Sequence, residues 1–238
     1  MSLALEWTKV KRTGLMPAFA AGGAAAGAFP VLNMIFRSRL YIKQKGDPLT
    51  VLLDANWQMM AILDVFLVII GACILYHIEH EHHGIRKMRT LPVGAGRVFW
   101  GKCFLLFAGM TGALLIQTAA LAFCAVHWFE TADGFWQELV REFVSSVLLL
   151  FPIEIFMLFI SSITETMWIC LGIGIMGAFI PLVTGGLEVS ILHYFPFSMP
   201  LETIFSPGWG KLAAAAAVEG ILFLLAEFVY ENVRRIGK

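Results

Sequence analysis

The stretch Tyr76–Lys102, "YHIEHEHHGIRKMRTLPVGAGRVFWGK", lies between two strongly apolar runs. It gathers histidine, acid and base into one short polar break in an otherwise oily chain. The chain has 238 residues, of which 59% are hydrophobic and 14% charged. Its mean hydropathy is +0.79. A soluble domain of this size carries about 25% charged residues, so the excess apolar surface calls for a solvent other than water. The polar break therefore reads as a loop between two membrane crossings.

A helix needs about 20 apolar residues to cross about 30 Å of hydrocarbon. Six runs meet or approach that length: Leu15–Phe36, Trp57–Tyr76, Phe104–Phe129, Phe143–Ile163, Met167–Leu187 and Leu212–Val229. The expected fold is all-α and polytopic, with six transmembrane helices in one membrane domain over residues 1–238. The first run contains Gly23 and Gly27, and the fifth contains Gly172 and Gly174. Small residues let membrane helices approach closely, within one chain or between two. Pro181 is expected to bend or end the fifth helix. Between the last two runs, residues 188–211 include "HYFPFSMPLETIFSPGWG". Pro196, Pro200 and Pro207 argue against a continuous helix there, and the aromatic content argues against an ordinary solvated loop. The segment reads as a short external hairpin at the membrane surface or re-entering it, tolerated where protein covers its backbone.

Lys and Arg set orientation. With the N-terminus inside, the cytoplasmic set is Lys9, Lys11, Arg12, Arg86, Lys87, Arg89, Arg97, Lys102, Arg234, Arg235 and Lys238, which is 11 of the 17 basic residues. Both termini are then expected in the cytoplasm. The opening residues read as polar and basic, without a cleavable signal. Formal net charge is zero, so no global basic field invites nucleic acid. Cys73, Cys103, Cys124 and Cys170 lie in or beside apolar runs without CxxC spacing and read as small buried hydrophobes.

Three chemistries compete for the polar break. Gly96–Cys103, "GRVFWGKC", contains the GxxxxGK part of a phosphate-binding loop. However, Cys103 replaces the Ser or Thr that binds magnesium, and Phe99 and Trp100 stand where a backbone cradle is needed. His77, His80, His82 and His83 offer imidazoles to a metal, but HxxHxHH is not HExxH and no cysteine cluster supports it. The third reading is a docking surface: a polar helix extending the second span, a break near Gly84, a basic turn and a stop at Pro92. Residue pattern alone leaves docking and simple positive-inside anchoring open.

Within the apolar runs, ionisable residues are costly, about 2.5–3.5 kcal/mol each on insertion scales. Asp64, Glu154 and Glu219 are therefore candidates for a substrate path, as a negative patch for a cationic peptide or an ion. The competing reading is that each is protonated or hydrogen-bonded to a neighbouring helix.

"EWTKVKRT" before the first span and "EHEHHGIRKMRTLPVGAGRVFWGK" after the second resemble the membrane-spanning subunit of ABC-2 type transporters. In its six-span layout the chain particularly resembles the lantibiotic (antimicrobial peptide) immunity permeases, with bacitracin-type and sodium-type exporter permeases as close competitors. That resemblance implies a bacterial cell-membrane permease subunit of an exporter, with no catalytic residues and no cofactor of its own. ATP and Mg would be held by a partner ABC ATPase. It implies an amphipathic N-terminal segment over residues 1–14 and a coupling loop over 77–102. Glu79, Glu81, Gly84, Ile85, Arg86 and Lys87 would dock on the ATPase. It also implies a second permease subunit, identical or homologous, met through the first and fifth spans at Gly23, Gly27, Gly172 and Gly174. The implied substrate is a cationic or amphipathic peptide. Rival readings are an ion-coupled secondary transporter using Asp64 and Glu154, and a membrane metalloprotein using the His77–His83 cluster.

Overall fold

In hydrocarbon a backbone must satisfy its own N–H and C=O groups, and a helix does so within one segment. The computed structural model describes residues 14–44, 46–81, 95–130, 134–164, 166–184 and 193–236. Among these residues there are six α-helices and no strand: α1 Leu15–Tyr41, α2 Pro48–Glu81, α3 Ala95–Trp128, α4 Phe135–Ile163, α5 Met167–Thr184 and α6 Trp209–Ile236. Five of them, all but α5, are long and apolar enough to cross a membrane. The 18 residues of α5 reach about 27 Å at about 1.5 Å per residue.

Several helices outrun their apolar cores. α2 begins at Pro48 rather than near Trp57, because proline suits the first turn and Leu49, Leu52 and Leu53 bury their side chains there. α4 begins at Phe135, after Gly134 at φ 105, a left-handed turn open to glycine. Pro181 does not end α5, which continues to Thr184.

Side-chain contacts give the helix directions. Phe19 meets Gly71 and Gly22 meets Leu67, so α1 runs antiparallel to α2; Phe19, Gly23 and Gly27 meet Gly109, Ala113 and Ala120 in turn, so it runs parallel to α3. Asp64 bonds to Gln117 and Leu75 to Lys102, Ser161 meets Cys170 and Met157 meets Gly174, and Ser145 and Ser162 bond to Trp209 and Glu227. The six helices therefore alternate in direction. One end of the bundle carries Tyr76, Lys102 and Thr164; the other carries Trp57, Glu142 and Trp209. α2 is central, touching α1, α3, α4 and α5.

Glycine permits a close approach of α1 to the α3 backbone. A Cβ on Gly23 would lie 2.7 Å from Ala113 Cα and 2.8 Å from its carbonyl oxygen. One on Gly27 would lie 3.1 Å from Ala120 Cβ. α1 is thus pressed against the α3 backbone, which cannot swing aside as a side chain can. Gly23→Ala is expected to destabilise the bundle by about 1–3 kcal/mol through overpacking. Gly112→Ala, whose Cβ would meet nothing within 4 Å, is expected to be neutral or slightly stabilising. Thermal aggregation midpoints of the two detergent-solubilised variants check this; equal midpoints would contradict the packing.

Candidate functional site

The polar groups inside the bundle form two layers. The deeper one joins α2 and α3. Gln117 Nε2 donates to Asp64 Oδ1 at 2.5 Å, and both residues are buried. Asp64 is therefore matched to a neighbouring helix in this conformation. Glu154 on α4 is also buried, yet its Oε2 has no hydrogen-bond partner among the described residues. Glu219 on α6 is half-buried, and its Oε2 is likewise without a partner among them. None of these three acids lies fully open on the outer face. Only Glu219 stands partly open, on a helix face where Val218, Ile221, Leu222 and Leu225 are exposed.

The second layer holds the segment between α5 and α6. From residue 193 it turns back into the bundle. Phe197 packs its ring on Phe156 at 5.9 Å and on Phe195 at 5.5 Å, and it fills the space over Gly177. Residues 196–200 are buried, so their backbone needs partners. Pro196 and Pro200 bring no N–H. Ser198 and Met199 donate to the Phe195 carbonyl at 2.8 and 3.3 Å. The Pro200 carbonyl accepts Trp57 Nε1–H at 3.1 Å. Ile204 N–H donates to Glu142 Oε2 at 3.0 Å. Trp209 Nε1–H then donates to Ser145 Oγ at 2.6 Å, with the Arg141 guanidinium over its ring at 5.4 Å. The prolines exclude a long helix, as their spacing suggests, and side chains of α2 and α4 supply the partners a helix would have given.

Sequence reading missed Glu142, because the fourth apolar run was placed from Phe143 onward. A helical stripe would have found it: Glu142, Ser145, Ser146, Leu149, Ile153 and Met157 are all buried at intervals of three and four. It also counted Lys102 only among the cytoplasmic basic residues. Lys102 is buried on the first turns of α3, its Nζ donating to the Leu75 carbonyl and lying 4.7 Å from the Tyr76 ring centroid. Because the Gly96–Cys103 stretch is helical and its lysine faces the protein, it offers no phosphate cradle. Glu227, near the end of the last apolar run, is buried and accepts Ser162 Oγ–H at 3.1 Å.

Of the proposed docking residues, Glu79 and Glu81 lie in the last turn of α2. Gly84, Ile85, Arg86 and Lys87 lie outside the described residues. So do residues 1–13 and 185–192, which take in most of the N-terminal segment and the start of the hairpin. From the histidine cluster, His77 lines a small cleft, while His82 and His83 fall outside the described residues. Among the described residues no group of three His, Cys, Asp or Glu could hold a metal. Among the four glycines assigned to a subunit contact, Gly23, Gly27 and Gly174 meet Ala113, Ala120 and Ile69 of this same chain. Only Gly172 of the four faces open space.

Five helices long and apolar enough to cross a membrane, with Asp64, Gln117, Glu142 and Glu154 buried among the described residues, mark a multi-pass membrane protein. The chain belongs to the ABC-2 transporter family: the family model described as ABC-2 family transporter protein matches residues 2–181, more than half its length. It is an ABC-2 type permease subunit, a transport component of the membrane. No curated protein and no solved structure matches the chain.

The hydrogen bonds that seat the 193–208 segment are testable. Trp57→Phe keeps the ring and removes the donor to Pro200, an expected loss of about 0.6–1.7 kcal/mol. Glu142→Leu leaves the Ile204 N–H without its acceptor and should cost about 1–3 kcal/mol. Unfolding titrations in mixed micelles measure both; wild-type stability in the two variants would show that these bonds do not hold the segment.

Proposed function

We propose that this chain is the membrane half-component of an ABC exporter that crosses the membrane six times, works beside a second permease subunit and expels a cationic amphipathic peptide of the antimicrobial, lantibiotic-like kind. The single observation that carries the transport reading is the family match, which runs from residue 2 through nearly all of α5. The alternating direction of all six helices supports counting α5 as a crossing. On this reading the end of the bundle bearing Tyr76 and Lys102 faces the bacterial cytoplasm, as the Lys and Arg bias suggests. The 193–208 segment is then a re-entrant hairpin from the outer side.

Residues 82–94, continued from α2 and followed by α3, would form the coupling contact with a separate ATPase holding ATP and Mg. Arg86 and Lys87 supply its charge, and Glu79 and Glu81 its helical approach. Lys102, tied to the Leu75 carbonyl, joins the two helices that flank this segment, so a push on it moves α2 and α3 together. ATP-driven closure would switch the bundle between two arrangements.

The peptide class is supported by chemistry on α6. Glu219 places a partly buried carboxyl, its Oε2 buried and without a partner among the described residues, beside an exposed apolar face, which suits a ligand with cationic and apolar groups. Asp64 and Glu154 lie inside the bundle, where a substrate reaches them only if helices part. The outward faces of α5 at Gly172 and of α1 at Phe36 are the surfaces left for a second subunit.

Two measurements in cells test the reading. Reversing Arg86 and Lys87 to Glu is expected to lower co-purification with the ATPase severalfold while leaving membrane insertion intact. Unchanged co-purification would remove the docking assignment. Glu219→Gln is expected to raise sensitivity to a cationic antimicrobial peptide at normal subunit yield. Full protection in that variant would take Glu219 out of the substrate path.

A further inference from the structure

Two thiols with no part in the transport reading face each other between the second and fifth helices. Cys73 Sγ of α2 lies 3.0 Å from Cys170 Sγ of α5. Ser161 Oγ of α4 lies 2.9 Å from the same Cys170 sulfur. Three helices therefore converge on one sulfur pair, and both cysteines are free thiols. The pair borders a small cleft at the end of the bundle that carries Tyr76, with Tyr76, His77, Thr164 and Thr166 on its walls. Hydroxyls and an imidazole stand among the mostly apolar walls of that small cleft, which leaves an approach to the sulfurs for a small peroxide and not for larger reagents. Cys103 and Cys124 are buried too, and neither has a sulfur neighbour within hydrogen-bonding distance among the described residues.

We propose that Cys73 and Cys170 form an oxidation site, a dithiol that a small peroxide converts to a disulfide joining α2 to α5. One sulfur, as thiolate, attacks a peroxide oxygen and the O–O bond breaks. A sulfenic acid forms, and the displaced hydroxide takes the thiol proton to become water. The second thiolate attacks that sulfur, the S–O bond breaks, and the departing hydroxide leaves as water with the second proton. Two thiols and one hydrogen peroxide thus give one disulfide and two waters, with two electrons passing from sulfur to oxygen. The Ser161 hydroxyl lies within hydrogen-bonding distance of the Cys170 sulfur. About 1 Å of further approach brings the sulfurs to bonding distance.

The consequence follows from the packing. Within the chain α5 touches chiefly α2 and, less extensively, α4. A covalent tie would fix this lightly held helix to the one that leads directly into residues 82–94. That consequence rests on the transport reading; the chemistry does not.

The experiment uses the full chain in native membranes exposed to hydrogen peroxide. The protein is then unfolded in SDS, alkylated with a maleimide and mapped by mass spectrometry. The expected result is loss of two alkylatable thiols out of four, a Cys73–Cys170 linked peptide pair, and return of all four thiols with dithiothreitol. Cys73→Ser and, independently, Cys170→Ala should each leave three thiols that peroxide does not pair. Four alkylatable thiols after peroxide, or a pair involving Cys103 or Cys124, overturns the site. Transport measured on the same membranes separates the site from its consequence. Loss of transport on oxidation in wild type, reversed by dithiothreitol and absent in Cys73→Ser, supports the lock. A linked pair with unchanged transport overturns the lock and leaves the oxidation site standing.

Discussion

The hydrogen bond from the Ile204 N–H to the Glu142 carboxylate states in one contact the constraint that shapes this protein. A buried backbone group in a hydrocarbon solvent has no water to turn to. Helices meet that demand internally, and six of them do so here among the described residues. The 193–208 segment does so only in part, because proline recurs in it, so it also borrows Trp57 from α2 and Glu142 from α4. Seating the segment thereby ties α2 to α4, and Phe156 meets Phe197 edge-on and Phe223 at a tilt beside it.

Packing then sorts the helices by freedom. α1 is held against α3 at glycine and alanine, where backbone meets side chain at the limit of contact. α2, α3 and α4 enclose the polar pair Asp64–Gln117 and the Glu154 carboxyl. α5 and α6 are left with broad apolar faces turned outward: Trp168, Met176 and Val183 on one, Val218, Leu222 and Phe228 on the other. For a permease subunit of the ABC-2 family, such a division is useful. A rigid interior can transmit a push from one end, while the peripheral helices remain available to lipid, a second subunit or substrate.

Much of the fold was legible in the sequence because apolar length is a property of a single segment. The runs around Ala20, Ile69, Leu114, Leu149 and Leu222 announce membrane helices without reference to one another. Their ends were less legible. Pro48 and Phe135 begin helices well before the apolar runs do, since polar residues such as Asp54 and Glu138 hide the pattern while Leu49, Leu53 and Leu139 bury. The candidate acids were visible as charges in oily stretches, and Glu142 escaped because it stood at the edge of one.

By itself the sequence determined the solvent, the helical class, the family and the break that Pro196, Pro200 and Pro207 impose before the last helix. Each follows from local composition or from a pattern read along one strand of text. Tertiary structure decided which residue answers which. That Gly23 meets Ala113, that Lys102 turns inward to the Leu75 carbonyl, and that Cys73 lies against Cys170 depend on the register between helices far apart in the chain. Register is set by how whole faces interlock, and no single helix carries that information alone.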